Sequence, residues 1–111
     1  MFGDAARNIE IPRWCIFTGG RLAGRPFLCN PDAEEYQSMM LEGVFDDFLF
    51  KQVDKSDWSG KVIYDIGSHV GYHVLNFAER VGPNGKIFAF EPHPLHRERI
   101  VQNLSRNKDL L

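Results

Sequence analysis

Val62-Ile-Tyr-Asp-Ile-Gly-Ser-His-Val-Gly71, followed by Lys86-Ile-Phe-Ala-Phe-Glu91-Pro92, is the stretch that decides the fold. In the first segment an apolar run ends in Asp65, passes through a loop spaced by Gly67 and Gly71, and opens a helix. In the second, an apolar run ends in Glu91. Open α/β sheets bind ligands beyond the carboxyl ends of their strands, where glycines let backbone approach the ligand. A carboxylate closing the second strand suits the paired hydroxyls of a ribose. The pattern is D-x-G-x-x-x-G, because His69 stands where the dinucleotide fingerprint G-x-G-x-x-G needs its second glycine. The spacing therefore points away from a pyrophosphate-bearing dinucleotide. It points towards a nucleoside with a charged amino-acid tail.

Around this motif the periodicity predicts a strand over 61–65, a loop over 66–71 and a helix over 72–80. Val70, Val74, Phe77, Ala78 and Val81 are spaced to face the sheet. Gly82-Pro-Asn-Gly85 reads as a tight turn, with Asn-Gly supplying positive φ. A strand over 86–90, a loop carrying Pro92 and Pro94, and a helix from Leu95 to about Asn107 follow. The core face of this last helix is expected at Ile100, Val101 and Leu104. The order β-α-β-α with near-continuous apolar strands predicts an α/β fold, its parallel strands covered on both faces.

Upstream, the chain begins irregularly over 1–12. Arg13–Thr18 and Arg25–Asn30 then read as a hairpin around Gly19-Gly20-Arg-Leu-Ala-Gly24. A turn centred near Leu22 would set Cys15 opposite Cys29 as reduced thiols. A helix is expected next, with Asp32 as N-cap and Glu35 completing a capping box. Tyr36, Met40 and Val44 share its face, with Leu41, Phe45, Phe48 and Leu49 beside them as core. Gly43 makes a break into two shorter helices plausible. A polar connector over 54–60 leads to the motif. The expected organisation is a hairpin and helical segment over 1–57 and the nucleoside-binding unit over 58–111.

The 111 residues suffice for one small domain, and a net charge of −2 gives no electrostatic case for nucleic acid or an acidic membrane surface. The basic clusters His96-Arg-Glu-Arg99 and Arg106-Asn-Lys108 read as the wet face of a helix. The two cysteines lack zinc-site spacing, so no metal is expected. With no signal segment and no membrane-length apolar run, a reducing cytoplasmic setting is the default. Asn103-Leu-Ser105 matches a glycosylation sequon, discounted because it lies within the expected last helix.

Asp-Ile-Gly-Ser-His-Val-Gly-Tyr72, Arg80-Val-Gly-Pro-Asn-Gly-Lys-Ile-Phe-Ala-Phe-Glu-Pro-His-Pro94 and Gln102-Asn-Leu-Ser-Arg-Asn107 together resemble FkbM-like methyltransferases. These belong to the class I S-adenosylmethionine-dependent enzymes. The resemblance covers about 58–110, and more loosely the segment before it. It implies a partial Rossmann-like core and S-adenosylmethionine as cofactor. Asp65, Gly67 and Gly71 would line the methionine and ribose side, Glu91 would hold the ribose, and Ser68, His69 and Pro92 would give backbone or wall contacts. It further implies O-methyl transfer to a small molecule or sugar, with no residue identified as catalytic base. An RNA-modifying relative and a non-catalytic remnant are the alternatives. The chain holds two parallel strands of the larger sheet such enzymes have, so a fragment is expected. Another chain would then be able to pair along an open sheet edge.

Overall fold

The computed structural model of the chain describes residues 11–32 and 34–111, so the expected irregular start over 1–10 lies outside the described residues. Among the described residues the architecture is mixed α/β, with four α-helices and two small sheets. It divides into two compact units, Met1–Phe45 and Asp46–Leu111. The division falls earlier than the expected boundary at 57/58, because the helix before the connector is bonded into the second unit.

In the first unit, β1 (Arg13–Ile16) and β2 (Pro26–Cys29) form an antiparallel hairpin. The register pairs Cys15 with Phe27 and Arg13 with Cys29, so the two cysteines are not opposite each other. The turn centres one residue earlier than expected, and neither cysteine forms a disulfide among the described residues. Phe17 and Phe27 are buried and pack with ring centroids 4.8 Å apart. Helix α1 (Glu35–Leu41) follows, with Glu34 at the N-cap and no side-chain cap. The expected capping box is absent; Asp32 instead accepts a hydrogen bond from Arg13 Nη1 at 3.1 Å.

The helix stops at Gly43, whose φ is 75°. A Cβ there would lie about 2.5 Å from the backbone of Gly19 and Gly20. Only glycine lets the hairpin turn and the end of α1 approach so closely, and Thr18 N donates to Leu41 O at 2.8 Å across the same contact. The break resets the helical phase. Met40 is buried as expected, but Val44, Phe48 and Leu49 are exposed.

In the second unit, α2 (Asp47–Val53) buries Phe50 and Val53. Strands β3 (Val62–Ile66) and β4 (Lys86–Phe90) pair in parallel, flanking α3 (Tyr72–Val81). The register sets Ile63 beside Ile87 and Asp65 beside Ala89. Val70, Val74, Ala78 and Val81 are buried, as the periodicity predicted. Phe77 instead meets Phe50 of α2, with centroids 5.5 Å apart. The turn into β4 puts its positive φ at Gly82 and not in Asn84-Gly85. Glycine at 85 is needed for space, since a Cβ would fall 2.8 Å from the Lys61 carbonyl oxygen and closer still to Val81.

Helix α4 (Pro94–Ser105) and a 3-10 turn (Lys108–Leu110) complete the unit. Ile100 is buried, whereas Val101 is exposed and its expected place in the core goes to Asn103. Asn103 Nδ2 donates to Val70 O at 3.0 Å, tying α4 to the glycine loop, and Asn107 Nδ2 donates to Asn103 O at 2.9 Å. A sequon asparagine held this way is closed to modification in the folded chain. The sheet is not covered on both faces: Val62, Tyr64, Ile66, Phe88 and Phe90 are exposed. No helix among the described residues is long and apolar enough to cross a membrane.

Candidate functional site

β3 and β4 end side by side, with Ile66 in register with Phe90. The loop after β3 rolls over the end of β4. Gly67 N and Ser68 N both donate to Phe90 O, at 2.8 and 3.1 Å. Buried Ser68 turns its hydroxyl back to Asp65 O at 2.8 Å, and Gly71 N donates to Ser68 O at 3.0 Å. This tight path needs left-handed backbone at Gly67 (φ 79°), His69 (φ 53°) and Gly71 (φ 98°). For His69 that conformation costs on the order of 1 kcal/mol, a strain that concentrates in functional loops.

Glu91 holds the arrangement together. Its Oε1 accepts from His69 N at 2.8 Å and its Oε2 from His93 N at 3.0 Å. One carboxylate thus joins the glycine loop to the loop after β4. Those amides, His93 first and His69 second, hold its carboxyl below the usual glutamate range. The side chain is only 8% exposed, and His96 Nδ1 stands 3.8 Å from Oε2. Three imidazoles surround it: His69 and His96 have ring centroids 4.1 Å apart, His93 and His96 4.4 Å. His93 Nδ1 accepts from Leu95 N at 3.3 Å and so caps α4.

Asp65 closes β3 in a different state. Its Oδ2 is buried and has no hydrogen-bond partner among the described residues. A buried acceptor left this way is costly unless something is to occupy it. Space is open beside Gly67, where a Cβ would meet nothing within 4 Å.

The structure therefore brings Gly67, Ser68, His69 and Glu91 into one bonded cluster, with Asp65 joined through Ser68 and exposed Pro92 between Glu91 and His93. Gly71 is buried, with Ile100 of α4 at 3.6 Å from the position of a Cβ. It closes the loop against α4, not α3 against the strand. His73 pairs with Asp46, Nε2 to Oδ2 2.7 Å, and packs on Phe50, which ties it to α2 and its cap and not to the glycine loop cluster. His96 gains a place in the site; its spacing of three from His93 on a helix was the signal for it. Among the described residues no group of three or more His, Cys, Asp or Glu is arranged to hold a metal ion. A cavity of about 280 Å³ in this unit is lined by apolar groups including Val74, Ala78, Ile87 and Leu104, and none of the candidate site residues borders it.

Comparison with protein-family models, with curated proteins and with solved structures gives no match.

Proposed function

We propose that this chain carries the nucleoside-binding half of an S-adenosylmethionine-dependent methyltransferase of FkbM type, with a partial Rossmann-like core, acting by O-methyl transfer to a small molecule or sugar. The observation that carries the reading is the pair of carboxylates at adjacent parallel strand ends, flanking a left-handed glycine loop. One of them, Asp65, keeps a buried oxygen without a partner among the described residues. That oxygen would accept from a ligand ammonium group, and the open space at Gly67 admits the ligand against backbone. Glu91 fits a ribose less directly. Each of its oxygens already accepts one amide, so a ribose hydroxyl would use a remaining lone pair. The bound cofactor would supply a methyl group on a sulfonium, already a good leaving group. The protein's own part is to position it, and no residue is assigned as base. The expected setting is the reducing cytoplasm, and the methyl acceptor is the expected small-molecule partner.

A second reading rests on the same two hydrogen bonds. If Glu91 serves only as a clamp between loops, the site is a non-catalytic remnant that does not take up the cofactor. Titration of S-adenosylhomocysteine followed by amide chemical shifts separates the two. The methyltransferase reading expects weak saturable binding with shifts concentrated at 65–71 and 91–93. It also expects Asp65→Asn to weaken that binding about tenfold while the spectrum stays folded. Absence of shifts at millimolar ligand, or binding indifferent to Asp65→Asn, would overturn it in favour of the clamp.

A further inference from the structure

We infer that the bare face of the β3–β4 sheet is a self-association surface, on which a second copy of this chain docks face to face. Alternation along the two parallel strands puts Val62, Tyr64 and Ile66 on the same side as Phe88 and Phe90. Tyr64 is 65% and Ile66 75% exposed, and the other three are close to half exposed. The aromatic rings are already ordered against one another. Tyr64 stacks on Phe88 at 5.3 Å and on Phe90 at 6.2 Å, with interplanar angles of 18° and 16°. Parallel strands are ordinarily buried on both faces, and a contiguous apolar patch of this kind marks an interaction site.

The area selects the occupant. Aromatic side chains offer about 150–250 Å² each, so five large residues at this exposure present roughly 500 Å² per copy. Two such faces together remove up to about 1,000 Å² from water, at the low end of interface sizes where weak, reversible pairs lie. A closed pair about a two-fold axis also satisfies the whole patch at once, because the same residues serve on both sides. Pairing along the strand edges alone would leave these five side chains in water. Valine and isoleucine within the patch, and the chain's net charge of −2, make a base-stacking platform for single-stranded nucleic acid the weaker choice.

Sedimentation equilibrium of the full chain tests this. The expected result is a reversible monomer–dimer equilibrium with a dissociation constant in the range of about 1–100 µM. Tyr64→Lys and, separately, Ile66→Glu should each weaken dimerisation at least about tenfold. Both positions are exposed, so the circular dichroism spectrum should be unchanged, and agreement between the two variants guards against a folding defect in either. A strictly monomeric chain at about 200 µM would overturn the inference. So would a dimer untouched by both substitutions, or open-ended oligomers in place of a closed pair. A monomer whose tyrosine emission is quenched by oligouridylate would reassign the face to nucleic acid.

Discussion

Arg80 should be the most consequential side chain for the stability of the second unit outside its apolar core. Its Nε and Nη2 grip both oxygens of Asp54 at 2.6 and 2.9 Å, while Nη1 donates to Asn76 O and Oδ1 at 3.0 and 3.2 Å. The guanidinium also lies over the Phe50 ring, 4.6 Å from its centroid. One side chain thereby fastens α2 and the start of the connector to α3. The Arg80 side chain is 6% exposed, but Asp54 is 35% exposed and would regain water if Arg80 were removed. Charge-assisted hydrogen bonds are worth about 1.5–3 kcal/mol and a cation–π contact about 0.5–1 kcal/mol. Rehydration of Asp54 moves the total to the lower part of that range, so Arg80→Ala should cost about 2–3 kcal/mol. With a urea m-value of about 2 kcal/mol/M, the unfolding midpoint should fall by about 1–1.5 M. Arg80→Lys keeps the charge and loses the fork, and should cost about half as much. A cycle with Asp54→Asn should show coupling of about 1 kcal/mol. A cost below about 0.5 kcal/mol, or one abolished by about 1 M salt, would mark the pair as an ordinary surface ion pair and refute this assignment.

Other outcomes follow from the same geometry. The carboxyl of Glu91 is depressed by the His93 and His69 amides, so the clamp contributes stability above the ordinary glutamate value of about 4.3. That contribution is lost as the pH falls through the lower folded value. Amide shifts of His69 and His93 should titrate together in this acid range, and Glu91→Gln should remove the titration; shifts that do not follow Glu91 would refute the clamp. Gly43→Ala meets both a φ of 75° and the Gly19 backbone, so thermal unfolding should show a loss of about 2 kcal/mol or more. A neutral result would mean that the turn and α1 separate readily. Asn103→Ala removes the donor to the Val70 carbonyl and should cost about 1–3 kcal/mol, with faster hydrogen exchange in the glycine loop. Thiol titration under denaturing, non-reducing conditions should count two reactive thiols, and fewer would contradict the disulfide-free state of Cys15 and Cys29.

The β3-α3-β4-α4 order of the second unit, the parallel pairing of its strands and the placing of Asp65 and Glu91 at their ends were legible in the order of residues. Those features follow from local rules: apolar runs of strand length, a 3.6-residue repeat in 70–81, and glycine where backbone must turn. Packing between distant segments set what local rules do not reach. Backbone approach between Gly19 and Gly43 ended α1 and rotated the phase that follows, so Phe50 entered the core and Phe48 did not. Hairpin register, set by the turn, moved Cys15 away from Cys29. Asn103 displaced Val101 from the inner face of α4 because the Val70 carbonyl needed a donor. The two carboxylates, alike on paper, parted company only in three dimensions. Glu91 filled both oxygens with backbone amides, while Asp65 kept a buried oxygen without a partner. That difference arises from which amides the folded loops bring within reach, and nothing in the order of residues states it.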